Sequence, residues 1–207
     1  MIYLCLLVSS IAYLIGSINT SMLVSAFFGK DVRSEGSGNA GATNTLRVFG
    51  KGAAAVVMLG DALKGVIAVL IANFLFDFFT VPGNASLPSY MAAFFVVLGH
   101  NFPLYFGFKG GKGITTSAAV IFMLDWQIGF IVLIVAVAIM AITKYVSLGS
   151  CCAAIVFPAA VIMFYENTTL IILSFAMAAL ALYMHRKNIQ RLINGTESKL
   201  SLKGKQR

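Results

Sequence analysis

Residues 53–79 read AAAVVMLGDALKGVIAVLIANFLFDFF, and this stretch decides the fold class. About 20 apolar residues suffice for a helix to cross the hydrocarbon core of a bilayer, and this stretch is longer. Asp61 and Lys64 lie three positions apart, on one face of the predicted helix. A charge at the centre of a bilayer costs about 2.5–3.5 kcal/mol. We therefore predict that the two side chains form an ion pair facing other helices; alternatively, one of them supports the polar segment that precedes the helix.

The composition places the whole chain in a membrane. Of its 207 residues, 59% are hydrophobic and 11% are charged, which is more apolar surface than a soluble domain can bury. We predict an all-α polytopic membrane protein with about seven transmembrane helices, some of them short, in a single domain that covers residues 1–207. The six further apolar stretches are residues 3–28, 88–107, 114–124, 126–142, 150–165 and 168–184.

The basic residues set the predicted orientation. When the stretches cross the membrane alternately, fourteen of the fifteen Lys and Arg residues fall in connections or the tail on one side, and Lys64 lies in the half of its span nearest that side. Loops rich in Lys and Arg stay in the cytoplasm, so we expect the N-terminus outside and the C-terminus in the cytoplasm. Asp125 and Glu166 then mark turns on the outer side. A five-span alternative keeps residues 114–142 and 150–184 as single helices, but it would place Lys144 and Ser147 outside.

The charge and the cysteines exclude several classes of function. A net charge of +8 could suggest nucleic acid, but the basic residues lie close to span ends, where they fit topology and anionic lipid better. Cys5, Cys151 and Cys152 lie inside apolar stretches, where cysteine is usually a small hydrophobic residue. The two histidines and the dispersed carboxylates have no metal-ligand spacing, so we predict neither metal nor cofactor.

The first polar segment, residues 29–52, contains GSGNAGATNTLR at positions 36–47. Glycines let a backbone approach a ligand closely, and the N–H groups of such a loop can surround an anion. Arg47 adds a planar guanidinium suited to phosphate. We therefore predict a phosphate-binding loop in preference to a flexible linker. Its small and neutral polar residues are Ser37, Gly38, Asn39, Thr43 and Asn44.

The second polar segment, FKGGKGITT at positions 108–116, leads directly into an apolar stretch. Glycines, lysines and a helix N-terminus together form a common phosphate site. The segment is not a Walker A loop, because Phe106 and Gly113 stand where that motif needs glycine and Ser or Thr. The alternative is a basic turn that anchors lipid headgroups. The predicted phosphate-binding residues are Lys109, Gly110, Gly111, Lys112 and Gly113.

The third polar segment, HRKNIQRLINGTE at positions 185–197, follows the last apolar stretch and precedes a basic tail at 198–207. His185 and Asn188 are three positions apart and share a helical face. The alternative is an ordinary basic flank with a histidine at the interface. The chain has no G-x-S-x-G nucleophile motif, and no carboxylate lies near His185 in sequence to orient it.

The three segments together resemble the bacterial acyl-phosphate:glycerol-3-phosphate acyltransferases (the PlsY family). SGNAGATN with Arg47, GHNFP at 99–103 with FKGGKG, and HRxNIxRL with GTE carry the resemblance, which extends from the first apolar stretch to Glu197. It implies an enzyme of the bacterial inner membrane, with its active site facing the cytoplasm. Such an enzyme makes 1-acyl-glycerol 3-phosphate in phospholipid synthesis.

The resemblance also implies roles for particular residues. Catalytic roles carry over to Ser37, Arg47, His185 and Asn188, and a structural role carries over to Glu197. We further expect Asp61, Lys64, His100 and Asn101 to support the site. Two positions depart from the family pattern, because Asn19 stands where we expect proline and Thr115 replaces a common alanine.

An acyl phosphate is a mixed anhydride with a good leaving group, so its reaction with glycerol 3-phosphate needs no covalent intermediate. The enzyme must mainly hold two phosphates, and the attacking proton can go to His185 or to a substrate phosphate. Expected partners are acyl phosphate, glycerol 3-phosphate, membrane lipid and the soluble enzyme that supplies acyl phosphate. The rival interpretations are an anion transporter, which needs polar residues at the midplane, and a CDP-alcohol phosphotransferase, whose aspartate motif is missing.

Overall fold

The computed structural model describes residues 1–200, all of whose regular elements are helices. They divide into two compact units, Met1–Leu124 and a second unit that begins at Asp125, and each is described by itself. The basic tail predicted at 198–207 lies outside the described residues from position 201 onward.

The first unit contains six α-helices and two short 3-10 helices. The 3-10 helices are Val32–Ser34 and Leu104–Phe106. The α-helices are α1 (Ile2–Ser17), α2 (Thr20–Phe27), α3 (Ala42–Phe49), α4 (Lys51–Phe79), α5 (Ser86–Asn101) and α6 (Ile114–Leu124).

The apolar stretch at 3–28, which we predicted as one span, is interrupted between α1 and α2. Asn19 begins the second helix, because its Oδ1 accepts a hydrogen bond from the Met22 N–H at 3.1 Å. The carbonyl oxygen of Ile18 accepts a hydrogen bond from Lys64 Nζ at 3.1 Å. The interruption therefore has its backbone groups partly satisfied by side chains, as a break inside apolar surroundings requires.

Two glycines allow α1 and α5 to pack with their backbones in contact. A Cβ on Gly16 would collide with the carbonyl oxygen of Val96, and a Cβ on Gly99 would collide with that of Tyr13. Small residues at a helix crossing are typical of membrane proteins. The Tyr13 hydroxyl also donates a 2.8 Å hydrogen bond to the carbonyl oxygen of Phe102, which holds the end of α5 against α1.

The second unit contains α7 (Trp126–Thr143), α8 (Val146–Phe164), α9 (Thr168–Met184) and α10 (Arg186–Ile193). The helix breaks that we predicted near Asp125 and Glu166 are confirmed. Asp125 Oδ1 accepts a hydrogen bond from the Ile128 N–H at 2.9 Å and caps α7. Asn167 Oδ1 accepts one from the Leu170 N–H at 3.1 Å and caps α9. Helices α9 and α10 meet at an angle of 61°.

The length and composition of the helices agree with a polytopic membrane protein. Among residues 1–200, four helical segments are long and apolar enough to cross a bilayer, and the count is five if the bent pair of α9 and α10 forms one span. Helices α5 and α6 are shorter, with 16 and 11 residues. The four segments are Ile2–Phe27, Lys51–Phe79, Trp126–Thr143 and Val146–Phe164.

Candidate active site

Asn44 organises the loop between α2 and α3. Its Nδ2 donates hydrogen bonds to the carbonyl oxygens of Val32 at 2.8 Å and Glu35 at 3.0 Å, and its Oδ1 accepts one from the Ser37 N–H at 2.8 Å. Both amide hydrogens are therefore engaged inside the protein. We correct the predicted role of Asn44 accordingly: it shapes the loop and has no hydrogen left to donate to a phosphate.

The other predicted residues of this loop remain accessible. Ser37, Gly38 and Arg47 are exposed, and Asn39 and Thr43 are half-buried. Thr43 and Arg47 are one turn apart on α3, so they share a helical face. Gly38 has a φ of 70°, which a residue with a Cβ rarely adopts. None of the ion pairs within residues 1–200 involves Arg47.

A small apolar cluster lies beneath the loop and fixes its position. Met22, Val32 and Ala40 form its buried centre, and Val48, Phe49 and Phe106 pack around them. The Thr45 and Ser21 hydroxyls are 2.9 Å apart and connect α3 to α2. The loop that carries the exposed polar side chains is therefore packed against an apolar cluster and hydrogen-bonded to α2.

The glycine-lysine loop at 108–113 is pressed against the end of α5. The Gly110 N–H donates to the carbonyl oxygen of Asn101 and the Gly111 N–H to that of His100, both at 3.2 Å. A Cβ on Gly111 would collide with His100 Nε2 and would lie 2.6 Å from the carbonyl oxygen of Ala40. We predicted Gly110 and Gly111 as phosphate-binding residues, but their N–H groups are hydrogen-bonded to the end of α5.

The remaining phosphate-binding candidates of this loop lie at its lysines and at the start of α6. Lys109 is exposed and Lys112 is half-buried. Gly113 has a φ of 75° and leads into α6, whose first N–H groups have no partner within the helix, as at any helix start. Thr116 anchors this first turn, because its hydroxyl donates a 3.0 Å hydrogen bond to the carbonyl oxygen of Asp61.

The predicted pairing of Asp61 and Lys64 is confirmed, and a histidine joins it. Lys64 Nζ lies 2.8 Å from Asp61 Oδ1 and 2.8 Å from His100 Nδ1. The amide of Asn101 is also buried, and within the described residues it has no hydrogen-bond partner. The first unit thus brings both glycine-rich loops, at Ala40 and Gly111, next to this buried cluster.

In the second unit, His185 and Asn188 are both buried, at 3% and 6% exposure. His185 Nδ1 lies 2.8 Å from the carbonyl oxygen of Ala181, which can only accept a hydrogen bond. Nδ1 therefore carries a proton, and in the neutral ring Nε2 holds the lone pair. A backbone carbonyl thus occupies the place that a carboxylate takes in a catalytic triad.

Glu197 gathers the third motif around its carboxylate. Oε1 accepts hydrogen bonds from Ser147 Oγ at 2.7 Å and Asn188 Nδ2 at 2.6 Å, and Oε2 accepts one from Arg191 Nε at 2.7 Å. Burial raises the pKa of Glu197, but the hydrogen bonds from Ser147, Arg191 and Asn188 outweigh it and hold the pKa below its usual value. The charged carboxylate therefore holds α10 and the segment after it against α8.

Our sequence reasoning did not identify Ser147 as a neighbour of the third motif. Ser147 and Glu197 are fifty positions apart, and no local pattern connects them. Only the packing of α8 against α10 brings them together. Within residues 1–200, no three His, Cys, Asp or Glu side chains are grouped closely enough to hold a metal ion.

Solved structures define the class of protein to which this fold belongs. Crystal structures of PlsY (YgiH), an integral membrane glycerol 3-phosphate acyltransferase, match in two forms. The glycerol 3-phosphate form has a TM-score of 0.86 and 34% identity, over 95% of this chain and 96% of that one. The lysophosphatidic acid form has a TM-score of 0.83 and 33% identity, over 96% of both chains. The fold is that of an integral membrane acyltransferase.

Sequence comparisons identify the family. The glycerol-3-phosphate acyltransferase model matches residues 6–195. A glycerol-3-phosphate acyltransferase of Thermoanaerobacter pseudethanolicus is 46% identical over 95% of this chain and 96% of its own length. One of Clostridioides difficile is 43% identical over 98% of both chains. The chain belongs to the glycerol-3-phosphate acyltransferase family, the PlsY family of the crystal structures.

Proposed function

We propose that this protein transfers an acyl group from acyl phosphate to the sn-1 hydroxyl of glycerol 3-phosphate, giving lysophosphatidic acid and phosphate. The observation that carries the proposal is the arrangement of the first unit. Two glycine-rich loops, each with a basic residue, meet at Ala40 and Gly111. Arg47 belongs to the first loop segment and Lys112 to the second, and neither segment is fully buried. This arrangement suits a substrate that carries a phosphate, and the family membership supports glycerol 3-phosphate as that substrate.

The proposed reaction explains why most of the predicted site residues are suited to binding phosphate. The hydroxyl oxygen of glycerol 3-phosphate attacks the acyl carbonyl carbon, the bond from that carbon to the bridging oxygen breaks, and phosphate leaves with the oxygen. The leaving group is good, so no covalent acyl-enzyme is needed. Holding both substrates in the reactive geometry can supply much of the rate enhancement.

We assign roles to the residues within each unit. In the first unit, Arg47 and Lys112 bind phosphate by charge, and Lys109 contributes at the surface. The neutral donors Ser37, Asn39 and Thr43, with the backbone at Gly38 and Gly113, bind or orient the substrate. In the second unit, His185 and Asn188 serve the chemistry, and Glu197 holds Asn188 in place through its 2.6 Å hydrogen bond.

The attacking proton has two possible acceptors. A neutral His185 with its proton on Nδ1 has a lone pair on Nε2, so the geometry is compatible with a general base. However, the Nδ1 partner is a backbone carbonyl, which stabilises an imidazolium less than a carboxylate does. We therefore favour transfer of the proton to a substrate phosphate.

We further propose seven membrane crossings, with α5 and α6 as short spans, the N-terminus outside and the active site facing the cytoplasm of a bacterial inner membrane. The support is charge bias, since basic residues belong to cytoplasmic loops. The acyl chain of the donor would lie among the helices, and a soluble enzyme would supply the acyl phosphate from the cytoplasm.

A donor panel tests the function. Purified protein is incubated with labelled glycerol 3-phosphate and, in separate reactions, with acyl phosphate, acyl-CoA or acylated carrier protein. We expect labelled lysophosphatidic acid with acyl phosphate alone and no requirement for metal. Arg47→Ala should abolish product formation while the protein still inserts, because no neutral side chain replaces a bidentate phosphate contact. Product with acyl-CoA and none with acyl phosphate would refute the proposed donor.

A further inference from the structure

The charged cluster inside the first unit is almost completely shielded from solvent. The side chains of Asp61, Lys64 and His100 are 3%, 6% and 4% exposed. Asp61 Oδ1 also accepts a 3.2 Å hydrogen bond from the Thr20 hydroxyl. A buried ion pair is weak support for stability by itself, because the cost of removing its charges from water offsets their attraction. The cluster therefore calls for an explanation beyond the fold.

Lys64 determines which nitrogen of His100 carries the proton. Its ammonium group has three hydrogens and three acceptors: Asp61 Oδ1 at 2.8 Å, Ile18 O at 3.1 Å and His100 Nδ1 at 2.8 Å. An ammonium group can only donate, so beside a charged Lys64 the His100 Nδ1 accepts. His100 Nδ1 also lies 3.4 Å from Asp61 Oδ1, to which it would donate in the opposite tautomer, and the longer distance favours the pairing with Lys64. The imidazole is then neutral, with its proton on Nε2. The 2.8 Å contact with Asp61 favours the charged form of Lys64 that this arrangement needs.

The same histidine lies directly behind the glycine-lysine loop. Its Nε2 and the carbonyl oxygen of Ala40 both lie within 3 Å of the position that a Cβ on Gly111 would occupy. Its own carbonyl oxygen accepts the Gly111 N–H at 3.2 Å. On the other side of the loop, Thr116 is hydrogen-bonded to the backbone of Asp61. Both ends of the loop are thus attached to the cluster or to residues that form it.

We propose that Asp61, Lys64 and His100 are positioning residues that set the distance between the two glycine-rich loops. The Nε2–H edge of His100 and the carbonyl oxygen of Ala40 both border Gly111, and Lys64 and Asp61 fix the orientation and tautomer of the ring. This inference rests on the proposed function, since it assigns the two loops to the binding of glycerol 3-phosphate. The alternative is that the cluster only stabilises the packing of α4, α5 and α6.

A variant without the charges of Asp61 and Lys64 tests whether the cluster positions the loops or only stabilises the fold. The double variant Asp61→Leu with Lys64→Met leaves no unpaired charge, and such apolar replacements are often tolerated. We expect it to fold and to lose about 10- to 100-fold in kcat/KM for glycerol 3-phosphate, mainly through KM, with the KM for acyl phosphate unchanged. The matched control is Asn73→Leu with Ser89→Ala, which removes a hydrogen bond between the same two helices, α4 and α5. It should keep the wild-type KM.

Two further measurements make the result decisive. His100→Asn retains an oxygen that can accept from Lys64 but has no atom in the place of Nε2, so it should raise the same KM even if the double variant does not fold. The ¹⁵N spectrum of the wild-type histidines, assigned with the His185→Gln variant, should show His100 protonated on Nε2. A folded variant with the wild-type KM, or protonation of His100 on Nδ1, overturns the proposal. An inactive wild type refutes the proposed function itself, and the two failures are thereby distinguished.

Discussion

The polar side chains of the first loop segment have two different roles. Some are hydrogen-bonded within the protein and hold the loop in shape, and others are exposed and accessible to a ligand. Asn44 and Arg47 are three positions apart on α3, yet Asn44 is 1% exposed and hydrogen-bonded inside the loop, whereas Arg47 is exposed. Residues three positions apart share a helical face, so periodicity does not separate them. The difference comes from the hydrogen bonds that join Asn44 to Val32, Glu35 and Ser37. In the second unit, Glu197 has the organising role that Asn44 has in the first.

The carboxylate of Glu197 should make stability depend on pH. Its pKa is lowered in the folded protein, so its contribution is fully present above the usual glutamate value of about 4.3 and is lost as pH falls through the folded value. We expect Glu197→Gln to unfold at a lower temperature than the wild type at pH 7, and the difference to narrow as the pH is lowered below about 4.3. Thermal unfolding in detergent measures it. The exposed Glu166→Gln is the control, and a pH-independent difference for Glu197→Gln would contradict the assignment.

Replacement of His185 identifies the proton acceptor. If His185 is the general base, His185→Gln should lose about 10²–10⁴-fold in turnover. We predict instead that this variant keeps appreciable activity, with a rate that still falls on the acid side because the substrate phosphate ionises near pH 6. The wild-type profile cannot decide, since an ordinary histidine ionises in the same range. Total loss of activity in a folded His185→Gln protein would show that the histidine is the base.

Helices and the breaks between them position the loops. The start of α2 depends on Asn19, which stands where the family pattern led us to expect proline. Proline would interrupt the helix by removing a hydrogen-bond donor, whereas Asn19 does so by accepting the Met22 N–H on its side chain. Its Nδ2 is buried and has no hydrogen-bond partner among the described residues, so only the oxygen of the amide contributes to the cap.

This reading of Asn19 predicts an order of stability for two variants of similar size. Asn19→Ser retains a cap oxygen and removes the buried amide nitrogen, whereas Asn19→Ala removes the cap altogether. We expect the serine variant to be more stable than the alanine variant by about 1 kcal/mol. Denaturant or thermal unfolding of the purified proteins compares them. Equal stability would mean that the side chain does not cap α2.

The glycine-lysine loop needs glycine because it touches its own protein. Gly111→Ala would push the loop away from His100 and Ala40, so we expect the KM for glycerol 3-phosphate to rise about tenfold or more, with a smaller change in kcat. Gly52→Ala is the matched control, since nothing lies within 4 Å of the added Cβ. Lowered turnover with an unchanged KM would contradict a role of the loop in substrate binding and would indicate a role in the chemical step.

For the molecule as a whole, cysteine labelling tests the seven proposed membrane crossings. In a background without Cys5, Cys151 and Cys152, an impermeant thiol reagent applied outside should label Ser86→Cys and Glu166→Cys, both at exposed positions. Ser198→Cys should react only after the membrane is permeabilised. The five-span alternative buries position 166 in the bilayer, so absence of labelling there would contradict seven crossings.

The pattern of apolar stretches with polar ends predicted most of the long helices. The same pattern could not predict contacts between residues that are far apart in the sequence. Helices α6 and α9 begin and end at the residues where their apolar stretches do, and Asn167 caps the start of α9. The interruption at Asn19 was missed because the polar residues around it, Ser17, Thr20 and Ser21, are small and lie inside a stretch that is apolar at both ends. The partners of Lys64 at His100 and of Glu197 at Ser147 lie 36 and 50 positions away. Such contacts depend on helix packing, which periodicity does not describe.

A single-turnover reaction tests the central claim, the direct transfer of an acyl group from acyl phosphate to glycerol 3-phosphate. Purified protein is mixed with an equimolar amount of acyl phosphate, and released phosphate is followed before and after glycerol 3-phosphate is added. We predict no release before the addition, and afterwards one phosphate and one lysophosphatidic acid for each acyl phosphate consumed. Absence of product after the addition, or a burst of phosphate equal to the protein concentration before it, would contradict this account.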